Sequence, residues 1–300
     1  MDWSHLPTFL AVARCGRLTR AAMTLRSDHT TISRRITSLE SALQTRLFDR
    51  SPSGYSLTEQ GARLLTIAEK METMASFAAD TVGGGATELE GIVRIAGPEG
   101  FESYFLVPRL SKLSDAYPGL TVQLLAGAHN YSLSKRDADI VITLRPPTEG
   151  RLITRKLVDY DLGLFASKAY IAEHGPIADR LAVGNHRFIG YIGDLIQMPE
   201  LDYLQHVTTS VAPRLESSNL LVQVKAVLAG AGLCVLPAFI GRCEPELVPV
   251  LAEEIRLTRS YWMVYHADHK DLARIKVASR FIADAVRKER ELFRLPKVHA

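Results

Sequence analysis

Three hundred residues, 47% of them hydrophobic, are too many for one small domain and enough for two sizeable cores. A formal net charge of +3 excludes a polybasic coat for nucleic acid, and three scattered cysteines (Cys15, Cys234, Cys243) without a C-x-x-C pair fit a reducing compartment. No apolar run approaches the ~18 residues of a membrane span, and Met1-Asp2-Trp3-Ser4 opens no signal peptide, so a cytoplasmic chain without a membrane partner is expected.

Leu6, Phe9, Leu10 and Ala13 fall at helical spacing, as do Leu18, Ala21, Ala22 and Leu25. Arg26-Ser27-Asp28 interrupts the pattern, and Asp28 is a good N-cap for a third stripe of Ile32, Ile36, Leu39 and Leu43. Two small alanines let the second and third helices cross closely through a short turn, as a helix-turn-helix requires. Opposite the third stripe lie Thr30, Ser33, Arg34 and Thr37, a row of donors suited to base edges in a major groove. The pattern alone also fits an ordinary helical hairpin. Through residue 60 there are eight Arg, no Lys and five acids, so the whole formal excess of charge sits in this fifth of the chain. Arginine's planar fork suits phosphate and guanine. Arg46 to Arg50 and Tyr55 to Thr58 then read as two short strands around Ser51-Pro52-Ser53-Gly54, a β-wing.

Thr58 starts a long helix, in which Leu64, Ala68, Met71, Ala75, Ala78 and Val82 make a heptad seam. Such a seam serves equally a pair of helices or one helix packed on its own domain. Gly83-Gly84-Gly85 ends it, and residues up to Gly91 read as a hinge. Beyond, strands are expected at 92–96, 121–125, 139–143, 161–166, 188–192, 211–216 and 234–237. Helices are expected after the Gly97-Pro98-Glu99-Gly100 turn and over Leu220–Leu228. This alternation predicts a parallel α/β sheet, as one large sheet or two small ones.

Nothing in the chain supplies an enzyme's site. No G-x-S-x-G elbow, Walker A loop or G-x-G-x-x-G fingerprint occurs. His266 and His269 around Asp268 resemble a metal or acid–base cluster, but no third ligand is apparent. Ser217-Ser218-Asn219 reads as a helix cap rather than a nucleophile. No catalytic residue, metal or cofactor is expected.

In Phe9-Leu10-Ala11-Val12-Ala13, Leu18-Thr19-Arg20-Ala21-Ala22, Ile32-Ser33-Arg34-Arg35-Ile36, Leu39-Glu40, Arg46 to Arg50 and Leu57 to Gly61, the chain resembles the LysR-type transcriptional regulators. Tyr117-Pro118-Gly119, Arg136 to Ile140, Ala166 to Tyr170 and Gly230 to Pro237 extend the resemblance over nearly its whole length. The resemblance implies an all-α winged helix-turn-helix over 1–60, a dimerising linker helix over 58–82, a hinge over 83–91 and an effector-binding domain over 91–300. That α/β domain would be periplasmic-binding-protein-like, with subdomain I at about 91–162 and 267–300 and subdomain II at about 163–266.

Carried over residue by residue, His29, Thr30, Thr31, Ser33, Arg34, Arg35, Arg50 and Ser53 would contact DNA. Leu64, Ala68, Met71, Ala75 and Ala78 would pair two linker helices. Pro98, Glu99, Gly100, Phe101, His129, Arg145, Tyr191 and Pro237 would line the effector crevice at the carboxyl ends of strands. Two departures stand out. Ser27-Asp28-His29 replaces the family's usual Val-Ser-Gln, so His29 takes the place of a glutamine that often reads a base. Gly100, preceded by Glu99, stands where many members have a Ser or Thr that helps hold a carboxylate, with Arg145 the candidate cationic partner. Glu99 as a solvated first-turn acid and Arg145 as a crossover ion pair are the alternatives. The implied partners are double-stranded DNA carrying an interrupted dyad, a small-molecule effector, and further copies of the chain in a homodimer or homotetramer. A solute-binding protein of transport is the competing reading, and it would have no use for residues 1–82.

Overall fold

The structure is a computed structural model that describes residues 2–52, 54–82, 89–127, 137–196, 198–207 and 212–296. The chain divides into two compact units, essentially residues 1–84 and 85–300.

The first unit is built as its stripes predict. α1 (Leu6–Cys15) ends on Gly16 at φ +65°, a left-handed turn that glycine adopts without a Cβ clash. α2 (Leu18–Thr24) and α3 (His29–Leu43) follow, then a hairpin of β1 (Phe48–Ser51) and β2 (Gly54–Leu57), then α4 (Glu59–Val82). Phe9, Leu10, Val12, Ala21, Ala22, Ile32, Ile36, Leu39, Leu47 and Phe48 form one core. Thr58 Oγ1 accepts the N–H of Gly61 at 3.0 Å, capping α4. Gly61 is needed for another reason: a Cβ there would lie 2.0 Å from the Leu47 carbonyl oxygen, so the helix starts directly against backbone.

The seam on α4 divides differently from expectation. Ala68 is buried in the core of its own domain, with Leu64 and Met71 packed against it, and Arg14 pins α1 to α4 through Glu72 at 2.7 Å. Ala75 and Ala78 are exposed, on a helix that also exposes Ile67 (55%) and Met74 (63%). A 4-3-4-3 spacing reports that a face is apolar, and it cannot say what covers that face.

Among the described residues the second unit holds one mixed nine-stranded sheet, where the alternation of elements suggested a parallel one. β3 (Gly91–Gly97) pairs in parallel with β4 (Leu120–Ala126) and β5 (Ile140–Thr143). β7 (Phe188–Gly190) pairs in parallel with β8 (Leu215–Glu216) and β9 (Leu233–Pro237). Between these two parallel triplets run two long antiparallel strands, β6 (Leu152–Ser167) and β11 (Arg256–His266), paired from Leu152 opposite His266 to Gly163 opposite Arg256 with one shift of register on the way. β11 joins β5, β6 joins β9, and β10 (Leu247–Val250) pairs with the end of β6.

The expected strand at 161–166 is thus the last part of a 16-residue strand, and β10 and β11 were not foreseen. A register shift at Tyr261/Trp262 breaks the alternation that would have marked β11. The strand expected at 188–192 stops at Gly190, and that at 211–216 contracts to two residues, with Val211 outside the described residues. α5 (Val107–Ala116), α6 (Lys168–His174), α7 (Leu220–Leu228), α8 (Ala238–Cys243) and α9 (Ala273–Lys288) complete the domain, and a wide π-turn over Phe101–Leu106 leads into α5. Buried Asp161 on β6 accepts from Thr258, Arg294 and the Leu295 N–H at 3.0–3.1 Å, fixing the C-terminal segment to the central strands. Among the described residues no helix is long and apolar enough to cross a membrane.

Candidate functional site

The outer face of α3 is set by its first turn. Asp28 accepts the Thr31 N–H at 2.7 Å and the Thr30 hydroxyl, which together hold its carboxyl well below the usual carboxylate range. His29, Thr30, Arg34 and Arg35 are exposed, and Thr31 and Ser33 are half-buried. His29, Thr30, Ser33, Arg34, Thr37, Ser38 and Ser41 line one shallow open groove. Arg35 lies beside it rather than in its lining, and the hydroxyl of Thr30 is already engaged by Asp28. Arg34 and Arg35 form no hydrogen bond or ion pair among the described residues, which leaves two guanidinium groups free for an anionic partner.

Arg50 on β1 is committed within the chain: it donates to Glu40 Oε2 at 3.0 Å and Thr37 Oγ1 at 3.4 Å, over the Tyr55 ring. Ser53 lies outside the described residues. Sequence reasoning missed the group that sets the wing. Glu40 Oε1 accepts the N–H groups of Leu47 and Phe48 at 2.8 and 3.2 Å while Oε2 takes Arg50. Glu40→Ala would strand two part-buried donors and is expected to cost about 2–3 kcal/mol. Urea melts followed through Trp3 would measure it, and a loss under about 0.5 kcal/mol would mean that core packing alone docks the wing.

In the second unit, a narrow cleft of about 40 Å³ opens at the carboxyl end of β3, lined by Pro98, Glu99 and Gly100. Tyr191 and Pro237 of the expected set line it too. Two expected residues do not. Phe101 is wholly buried, its ring packed on Phe105 and Tyr261 with centroids 5.2 and 4.9 Å away, so it forms core below the cleft. Arg145 is an exposed residue that reaches toward Glu200, 3.8 Å away, and is absent from the lining. His129 lies outside the described residues.

The walls that sequence reasoning missed are Tyr160 on β6, Tyr261 on β11 and Tyr203, with Leu144, Leu162, Met198, Leu201, Ser218 and Leu220. Tyr160 and Tyr261 stack with centroids 4.2 Å apart, and Tyr191 meets Tyr203 edge-on at 5.9 Å. Only strand pairing across a hundred residues brings the first two together.

Glu99 is neither a solvated first-turn acid nor a free ligand group. Its carboxylate accepts the Leu220 N–H and, at 2.7 Å, Asn219 Nδ2, so it sits on the start of α7 from across the cleft. Burial pushes its carboxyl up, against the pull of the Leu220 N–H. Asn219 also caps α7, accepting the Val222 N–H at 3.0 Å. A Cβ at position 100 would stand 2.7 Å from Leu220 Cδ2, so a side chain there would require Leu220 to turn aside.

His266 ends β11 and accepts the Asp268 N–H at 3.2 Å, while His269 is buried in the following turn. The two rings lie across a strand end rather than side by side on a helix. Among the described residues no three His, Cys, Asp or Glu side chains converge to hold a metal.

Residues 3–62 match the family model for the bacterial regulatory helix-turn-helix protein, lysR family, and residues 86–287 match that for the LysR substrate binding domain. The HTH-type transcriptional regulator CrgA of Neisseria meningitidis serogroup C (strain 8013) is 27% identical over 288 residues, covering 93% of this chain and 95% of the relative. The Mau operon transcriptional activator of Paracoccus denitrificans is 29% identical over 240 residues, 80% of this chain and 81% of its own. Among solved structures, ArgP from Mycobacterium tuberculosis superposes with a TM-score of 0.67 at 19% identity, covering 95% of this chain and 97% of that one. CrgA from Neisseria meningitidis gives 0.59 at 23% identity, covering 95% and 98%. At these identities the two structures speak for a shared fold.

Proposed function

Because the chain belongs to the LysR-type transcriptional regulators, we propose that it reads an interrupted dyad operator as a homodimer or homotetramer in the cytoplasm, under control of a small molecule in its cleft. The observation that carries the DNA contact is the outer face of α3, where Arg34 stands exposed and unengaged among His29, Ser33 and Thr37. Arg35 and the exposed arginines around it supply phosphate contacts, and Arg50 serves first to hold the wing against α3. The two parallel strand triplets, joined through β6 and β11, form subdomains I and II, and the cleft takes residues from both. No catalytic step is assigned to it. The solute-binding reading leaves α1 to α4 without a role.

Arg34→Ala is expected to weaken operator binding by about tenfold or more while changing random-DNA binding little, since a good base contact supplies roughly 1–3 kcal/mol of discrimination. Arg26→Ala, in the turn before α3, is expected to cost at most a screened phosphate contact. Gel-shift titration of both variants on specific and random DNA at one salt concentration decides between them. An equal loss on both DNAs for Arg34→Ala would reduce Arg34 to a phosphate contact.

A further inference from the structure

The donors that the start of α7 would offer an anionic ligand in this cleft are taken by the chain itself. The Leu220 N–H at the start of α7 and Asn219 Nδ2 both bind the Glu99 carboxylate. Leu220 fills the space beside Gly100. No Lys, Arg or His is found among the described residues that line the cleft, and Arg145 points to Glu200 instead. What the lining offers is one half-buried carboxylate without a counter-charge and the rings of Tyr160, Tyr191, Tyr203 and Tyr261. A ring face attracts a cation through its quadrupole, and the attraction grows when water is excluded. An anion would meet a like charge in a region of low dielectric.

We propose that the cleft is a cation site that recognises an organic ammonium group, with Glu99 as its counter-charge and the four tyrosines as its walls. This rests on reading the cleft as the effector site and names the class of effector. Glu99 thereby acts twice: it closes the α7 terminus to carboxylates, and it supplies the negative charge that the ammonium group needs. The uncharged remainder of the ligand packs on Leu144, Leu162, Met198 and Leu201.

The test uses the full chain and three probes of one shape that differ in charge: choline, 3,3-dimethylbutan-1-ol and 3,3-dimethylbutanoate. Benzyltrimethylammonium is added as a larger cation. Thermal shift and calorimetric titration are run with each up to about 10 mM, a range that captures even weak small-ligand affinities. Choline or benzyltrimethylammonium is expected to stabilise the wild type, at least about tenfold more tightly than the neutral and anionic probes bind. Glu99→Gln, which keeps an oxygen for the Leu220 N–H, is expected to lose about tenfold for the cation. Tyr191→Leu should lose affinity and Tyr191→Phe should keep it. Retained operator binding shows that each variant is folded. Stabilisation by the neutral or anionic probe alone would overturn the cation assignment while the cleft still stood as an effector site. Silence from all four probes, or equal cation binding by Glu99→Gln, would overturn it as well, the first together with that reading of the cleft.

Discussion

Wild-type stability is expected to fall between about pH 4.5 and pH 8, and Glu102→Gln is expected to abolish that dependence. Glu102 lies in the π-turn before α5, 1% exposed, with neither carboxylate oxygen hydrogen-bonded among the described residues. Its nearest surroundings include the backbone of Gly97 and the apolar core under β3, and burial alone pushes its carboxyl up to about 8. A carboxyl raised in the folded state holds its proton there after the unfolded chain has released it. Its stabilisation is therefore complete below the unfolded value of 4.5 and is lost as pH rises through about 8.

The slope is about 1.4 kcal/mol per pH unit across that window, a total on the order of 5 kcal/mol. Glu102→Gln cannot ionise and should stay level where the wild type declines. Trp262 on β11 reports on this domain, so urea melts at several pH values in a Trp3→Phe background isolate the effect. Parallel slopes in the two proteins would show that the carboxyl finds water or a partner on ionisation.

Met74→Asp is expected to break the oligomer without unfolding the DNA-binding domain. Ile67 and Met74 stand seven residues apart on α4, more than half exposed, and Ala78 continues the same stripe four residues on. If this stripe pairs with a second copy, two carboxylates face each other across the contact, at a cost of several kcal/mol that separation relieves. Light scattering should show a smaller species, and operator affinity should fall by about a hundredfold because two half-sites are no longer held together. Met71→Asp gives the contrast: Met71 packs on the core formed with α1, so that variant should lower the melting temperature of its own domain. A Met74→Asp protein of wild-type mass and affinity would remove α4 from the interface.

The division of labour on α4 shows where sequence reading stops. Leu64, Ala68 and Met71 were legible as an apolar row, and they are one. Their partner was not legible, because a periodic stripe is the same whether it meets its own domain or another chain.

The cleft illustrates the same limit at longer range. Pro98, Glu99, Gly100, Tyr191 and Pro237 were placed there by the family resemblance. Nothing local marks Tyr160 and Tyr261, whose meeting depends on the register of β6 against β11. Arg145 and Phe101 were misplaced for a related reason: residue type and neighbourhood suggest a role, while side-chain direction decides it. Phe101 turns into the aromatic core and Arg145 turns out to Glu200.

By itself the sequence determined the three crossing helices, the Asp28 cap, the wing and the strand that leads into the Gly97 turn. Each of these is encoded by contacts within a few residues, where helical spacing, caps and turn residues act directly. Tertiary structure alone decided which face of α4 is free, that the central strands run antiparallel, and that Glu99 closes the start of a helix some 120 residues away. Those outcomes depend on which distant surfaces meet, and burial of an apolar face is favourable against any well-fitting partner.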